Sequence, residues 1–320
     1  MRRVEEMHPT KIRRKDEDEP STPEEIAHEI SRDLGDLVEV RIPTACDEPI
    51  LAPAVRKTIF EWMLEQNAAD DLRAVGVPPR VACLLHGPPG CGKTTLAHHF
   101  AARLGMPLVI ANGEMVRASH LGATGQNIFK FFACLRKFKR SAVGFFDELD
   151  AVAGARASVD GQACEKELNA IVTALLTNIE RHDGMFFAAT NIGDGLDQAI
   201  WRRFGIHIKV ELPGFDERFA IIKRYLSPFT VDDETIDELS ILTKGAAPAL
   251  LRQLCEGVKR AIVLAPRMKR DAVDIVAIVT GAAANIAPHP SLDAPRLWDD
   301  PTSAQSLAGK PWPPVLEGKP

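Results

Sequence analysis

The stretch His86-Gly87-Pro88-Pro89-Gly90-Cys91-Gly92-Lys93-Thr94-Thr95 decides how the rest of this sequence reads. From Gly87 to Thr94 it fits G-x-x-x-x-G-K-[ST], a glycine-rich turn that wraps backbone N–H groups around phosphates at the start of a helix. The apolar run Val81-Ala82-Cys83-Leu84-Leu85 leads in as a strand, and Thr94-Thr95-Leu96-Ala97 leads out as a helix. A turn that served structure alone would need neither Lys93 nor Thr94.

A second stretch, Ala142-Val143-Gly144-Phe145-Phe146-Asp147-Glu148, is an apolar run that ends in two carboxylates. Such a run reads as a buried parallel strand, and its C-terminal end is where ligands bind in open α/β sheets. Asp147 there can hold Mg²⁺ directly or through water. Glu148 is placed to orient and deprotonate a water for attack on a γ-phosphate.

Around these two stretches, strand and helix patterns alternate. Pro107–Ala111 and Met185–Ala189 are further apolar strands, the second ending in Thr190-Asn191, and Ile206–Val210 is another. Helical periods recur in Ala54–Gln66, in the segment carrying Ile128, Phe129, Phe132 and Leu135, and most clearly in Glu165–Glu180. Alternation of this kind predicts an α/β fold with a doubly wound parallel sheet. The basic run Arg136-Lys137-Phe138-Lys139-Arg140 closes a helix, where cations complement the dipole, so it reads as structural.

The ends read differently. Residues 1–23 mix basic residues with Asp16-Glu17-Asp18-Glu19 and form a disordered charged arm; residues 24–78 are helices leading into the core. The α/β domain spans 79–213. Three or four helical patterns follow over 214–284, and from 285 to 320 the prolines predict an irregular, disordered tail.

Composition sets the outer bounds. With 320 residues, 45% hydrophobic and 26% charged, the chain is an ordinary globular one. A net charge of -5 and no aromatic-interleaved basic patch give no indication of nucleic acid. Six scattered cysteines without zinc spacing fit a reduced compartment, and no spanning segment or signal-peptide core stands out, so a cytoplasmic setting without membrane contact is expected.

Together these motifs carry a family resemblance: from about Val81 to Ala261 the chain resembles an AAA-type ATPase, a P-loop NTPase of the AAA+ superfamily. The residues that carry it are Gly87–Thr95 (Walker A), Phe146-Asp147-Glu148-Leu149-Asp150 (Walker B), Ala189-Thr190-Asn191 (sensor 1) and Leu196–Phe204 (the arginine-finger segment). The resemblance implies a five-stranded parallel sheet of order 5-1-4-3-2 with a small C-terminal helical lid, and ATP and Mg²⁺ as cofactors. It also implies roles. Gly87, Pro88, Pro89, Gly90, Cys91, Gly92, Lys93, Thr94 and Thr95 would cradle the nucleotide, and Lys93 would neutralise β/γ-phosphate oxygens. Thr94 and Asp147 would hold the metal, Glu148 would be the base, and Asn191 would help position the water. Asn112 looks like the polar residue that can engage Glu148. Arg203, with Arg202 as a second candidate, would reach a neighbour's nucleotide, which implies a homo-oligomer, usually a hexameric ring.

Several positions depart from the family pattern. Cys91 stands where Thr or Ser is common, and its place beside Lys93 at a helix N-terminus predicts a lowered thiol pKa and a redox-sensitive site. His120-Leu121-Gly122 replaces an aromatic-apolar-Gly pore loop, and Ile206 replaces a second arginine. Gly245–Ala249 resembles the small-residue turn near the adenine, with Arg252 a distant candidate for a lid arginine. The expected function is ATP hydrolysis coupled to remodelling of a protein or protein assembly through an unknown protein substrate or adaptor. The alternative is a nucleotide-switched binding module acting on DNA-associated or other complexes.

Overall fold

The computed structural model describes residues 22–44, 46, 48–113, 123–153, 162–192, 196–268, 274–312 and 314–316. Most of the charged arm and the His120-Leu121-Gly122 segment lie outside them.

The first helix, Pro23–Leu34 (α1), starts where its sequence says it should. Thr22 accepts from the Glu25 N–H at 3.2 Å while the Glu25 carboxylate accepts from the Thr22 N–H at 3.0 Å, a reciprocal cap. A short strand, Glu39–Arg41 (β1), precedes two helices, Pro53–Asn67 (α2) and Ala69–Ala74 (α3). The core strands and helices then alternate: Ala82–His86 (β2), Lys93–Arg103 (α4), Leu108–Asn112 (β3), Ala123–Lys137 (α5), Val143–Asp147 (β4), Leu149–Ala153 (α6), Gln162–Arg181 (α7), Phe186–Thr190 (β5), Gln198–Trp201 (α8) and Ile206–Lys209 (β6).

The sheet order is β1-β3-β4-β5-β2-β6. Its parallel part, counted from β2 as the first core strand, is the expected 5-1-4-3-2. The sixth strand is new: β1 adds antiparallel to β3, with Val40 opposite Val109. Glu39 is exposed and Val40 and Arg41 are half-buried, and the two charged residues suit an edge that must resist further pairing.

Both sheet faces are covered. One packs Phe131, Phe132, Phe146 and Phe186 among α1, α5 and α7. The other packs Leu85, Leu96, Phe100 and Phe187 under α2 and α4. Trp62 of α2, only 1% exposed, stacks on Phe100 with ring centroids 4.6 Å apart and meets Phe187 edge-on at 4.9 Å. Its indole N–H donates to the Arg80 carbonyl at 2.7 Å, which fixes the chain just before β2 and therefore the entry into the glycine-rich turn. The basic run after α5 is tied down. Arg136 donates to Asn178 at 3.2 Å, Lys137 to Asp33 at 2.7 Å and Lys139 to Asp183 at 2.5 Å, in keeping with a structural reading.

The helical part comprises Phe215–Leu226 (α9), Asp233–Leu242 (α10), Pro248–Leu264 (α11) and Ile275–Ala284 (α12) around Ile222, Leu239, Leu251, Leu254 and Val279. Buried Arg218 of α9 donates to the carbonyls of Ser240 and Pro213 at 2.9 and 2.8 Å, tying the bundle to its connector. The proline-rich segment differs from its sequence reading. It forms Arg296–Asp299 (α13) and a 3₁₀ helix at Pro301–Leu307, and Leu297, Ala304 and Leu307 enter the helical core. Phe229–Thr230 (β7) pairs antiparallel with Val315–Leu316 (β8). The physical reason is positional: Pro295 caps one helix and Pro301 opens the other, where a missing N–H leaves no hydrogen bond unmade.

Candidate phosphate-binding site

The glycine-rich turn runs from the end of β2 to the start of α4, on the C-terminal edge of the sheet. Gly87 has φ 148°, and a Cβ there would lie 2.1 Å from the Val210 carbonyl oxygen. Only glycine lets the turn pass so close to the end of β6. Gly90, at φ 74°, faces the lid: its carbonyl accepts from the Ala249 N–H at 3.2 Å, and a Cβ would meet Ala249 and Ala247 at 3.2 and 3.4 Å.

Three core strands bring their last residues to this edge. Lys93, at the first position of α4 and 7% exposed, donates to the carbonyls of Gly87 and Pro88 at 2.8 and 2.9 Å and to Asn191 Oδ1 at 2.7 Å. Burial pushes its pKa below the ordinary lysine value, while Asp147, Asp150 and Glu148 pull the other way. Thr94 Oγ1 donates to Asp147 Oδ2 at 2.6 Å. Asp147 Oδ1 also accepts from the Glu148 N–H at 3.0 Å. Glu148 has φ 52°, a left-handed backbone that a non-glycine residue adopts at a cost of about 1 kcal/mol. It turns the chain sharply between β4 and α6, so that Asp147 and Glu148 line one cavity. Asn112 ends β3 directly opposite Asp147 in the strand register.

That cavity, about 380 Å³, is lined on the sheet side by Pro89, Gly90, Gly92, Lys93, Thr94, Thr95, Asp147, Glu148 and Asn191. Gly87, Pro88 and Cys91 shape the turn without lining the cavity. The lid supplies Tyr225, Pro248, Ala249 and Arg252. Arg252 therefore does face the site; its side chain pairs with Glu256 at 2.8 Å and lies over the Tyr225 ring at 5.8 Å. Sequence reasoning missed Tyr225. The one available signal was its being the single tyrosine of the chain, next to the last residue of α9.

One expectation changes. Cys91 is buried, and burial pushes its thiol up to about 11 although Lys93 pulls it down, so the predicted lowered pKa is reversed. Charge proximity is visible in sequence, but desolvation is not, and here desolvation dominates. Arg202 and Arg203 follow α8, whose N-cap Asp197 accepts from the Ala199 N–H at 2.7 Å, and neither lines the cavity. Arg203 pairs with Glu180 at the end of α7, at 2.6 Å. Among the described residues no cluster of three His, Cys, Asp or Glu could hold a metal, and no helix is long and apolar enough to cross a membrane.

A glycine-rich turn, a buried lysine, a Thr–Asp pair and a carboxylate meet on one sheet edge in the arrangement of a P-loop. Comparison points to a family: residues 83–212 match the model of the ATPase family associated with various cellular activities (AAA). It is 39% identical over 180 residues to an uncharacterized AAA family ATPase, y4kL, of Sinorhizobium fredii, covering 55% of this chain and 52% of that protein. To the proteasome-activating nucleotidase of Methanopyrus kandleri it is 33% identical over 207 residues, covering 62% of this chain and 46% of the relative. The chain thus spans about half the length of the curated relatives it matches. In fold it is similar to the crystal structure of the FIGL-1 AAA domain, with a TM-score of 0.64, 21% identity, and coverage of 87% of this chain and 92% of that one.

Proposed function

We propose that this chain binds ATP with Mg²⁺ and hydrolyses it, as a cytoplasmic ring-forming motor that remodels a protein or protein assembly. The observation that carries the reading is convergence. Lys93, Thr94, Asp147, Glu148 and Asn191 arrive from three strand ends at one cavity of nucleotide-triphosphate scale.

The donor set fits both the nucleotide and the metal. Turn N–H groups and the α4 N-terminus favour a triphosphate, and the neutral oxygens now held by Lys93 are ones that anionic phosphate oxygens would displace. A hydroxyl and a carboxylate 2.6 Å apart suit a small hard cation that keeps waters and phosphates as its other ligands. Bound there, Mg²⁺ supplies neutralisation of the triphosphate charge. Glu148, on the cavity wall, is the group that takes the proton from the attacking water. The Asn191 amide orients that water, and Tyr225 with Pro248 and Ala249 bounds the cavity on the lid side.

Arg203 lies outside the cavity of its own subunit, which supports its acting on a neighbour's, and the relatives named proteasome-activating nucleotidase support action on proteins. A ring of six is the arrangement we favour.

The test is a pair of variants. Glu148→Gln is expected to bind ATP at wild-type affinity and lose turnover by about 100-fold or more, as removal of a general base does. Lys93→Ala is expected to lose binding itself. Equal turnover in wild type and Glu148→Gln overturns the reading.

A further inference from the structure

One carboxylate at the site has no part in the scheme above. Asp150 lies in the first turn of α6, two residues beyond Glu148, and does not line the cavity. It is nonetheless joined to the catalytic edge: Asp150 Oδ1 accepts a hydrogen bond from the backbone N–H of Asn191 at 3.1 Å, across 41 residues of sequence. Asn191 is thereby held at two points. Its main chain is fixed by Asp150, and its side-chain oxygen accepts from Lys93 at 2.7 Å. Asn191 and Ile192 are both exposed, and the end of β5 is otherwise tied to the glycine-rich turn, through the Gly87 N–H donating to the Thr190 carbonyl at 3.3 Å, and not to α6. The other nearby bonds, between Thr190 Oγ1 and the N–H and carbonyl of Ile192 at 3.1 and 3.4 Å, are local to the turn and do not tie it to β4.

We infer that Asp150 is a positioning residue for Asn191: it links the carboxylate-bearing end of β4 to the end of β5, so that the Asn191 amide and the Glu148 carboxylate keep a fixed separation. The inference rests on Asn191 orienting the attacking water. A bond from an N–H to a carboxylate is among the stronger kinds, and a displacement of about 1 Å in a water-orienting group costs on the order of 100-fold in rate. Asp150 also adds to the negative field on Lys93. The two contributions separate by substitution. Asn at 150 keeps an acceptor oxygen in place and removes the charge; Glu keeps the charge and moves the oxygen by one methylene; Ala removes both.

The experiment is steady-state ATPase kinetics on the full chain for Asp150→Asn, Asp150→Glu, Asp150→Ala, Asn191→Ala and the double variant Asp150→Ala/Asn191→Ala. Binding of a fluorescent ATP analogue serves as the control for an intact site. Positioning predicts that Asp150→Asn stays within about threefold of wild type. Asp150→Glu and Asp150→Ala fall about tenfold or more in kcat, with KM within about threefold. The double variant is no slower than Asn191→Ala, because no amide remains to be positioned. Should Asp150→Ala fail to fold, the Asn-against-Glu contrast decides alone. Wild-type kcat in Asp150→Glu, a loss in Asp150→Asn as large as in Asp150→Glu, or a full further loss on the Asn191→Ala background each overturns the inference. If Asn191→Ala itself turns over normally, the role given to Asn191 fails first, which is a distinguishable result.

Discussion

Thr94 and Asp147 are 53 residues apart in sequence and share a hydrogen bond of 2.6 Å between Oγ1 and Oδ2. The bond joins the first turn of α4 to the end of β4, so the two groups proposed to hold the cation are already set side by side. Thr94→Val removes the hydroxyl at similar volume. It is expected to raise the Mg²⁺ concentration for half-maximal ATPase activity by about tenfold or more, consistent with loss of one of few protein ligands. Titration of turnover with Mg²⁺ at fixed ATP checks this, and an unchanged midpoint argues against the assignment.

Arg203 and Glu180 form an ion pair with both side chains well exposed, and pairs of that kind contribute little to stability. Arg203→Ala is therefore expected to leave the melting temperature unchanged while lowering turnover by ~10³-fold or more, the scale of an arginine finger. Wild-type activity per subunit should rise with protein concentration as rings assemble. Turnover that is independent of concentration and insensitive to Arg203→Ala would remove the claim that the site is shared.

Cys91 should be a poor nucleophile. With its thiol at about 11, about one molecule in a thousand carries a thiolate at pH 8. Iodoacetamide labelling at that pH, read by mass spectrometry, is expected to modify Cys91 far more slowly than a model thiol, and mild peroxide should leave nucleotide affinity intact. Rapid labelling would restore the redox reading that burial has displaced.

His182 is buried between Phe132 and Phe186 with ring centroids 5.9 and 6.1 Å away, and its Nδ1 has no protein partner. Burial lowers its pKa from 6.5 to about 4. The unfolded chain binds this proton from pH 6.5 downward and the folded chain only near 4, so stability falls as pH drops through that window and is level above it. The full effect is about 3 kcal/mol, at about 1.4 kcal/mol for each tenfold loss of proton affinity on folding. Urea unfolding at pH 7 and pH 5 should show about 2 kcal/mol of it, the rest being lost below pH 5. His182→Phe is expected to flatten the slope, and an identical slope in that variant would assign the dependence elsewhere.

What the sequence disclosed depended on range. Strands such as Val143–Asp147 and Phe186–Thr190 were legible because a strand covered on both faces is apolar throughout, and the carboxylates of the one and the amide of the other come at the ends. Glu39–Arg41 was not, although Val38, Val40 and Ile42 alternate with charged residues, because three residues on an edge carry too short a pattern. The ordering of residues 286–312 was hidden by its prolines, whose count says nothing of their places at helix starts. The link from Asp150 to Asn191 and the presence of Tyr225 in the cavity depend on which elements meet, information that no local pattern holds.

The bond from the Ala249 N–H to the Gly90 carbonyl gives the site a built-in reporter. A single amide proton, on the first turn of the lid helix, is held by the same turn proposed to grip the phosphates. Were the lid to part from the turn, that amide would be released to solvent, so its exchange with deuterium would report such an opening at one residue.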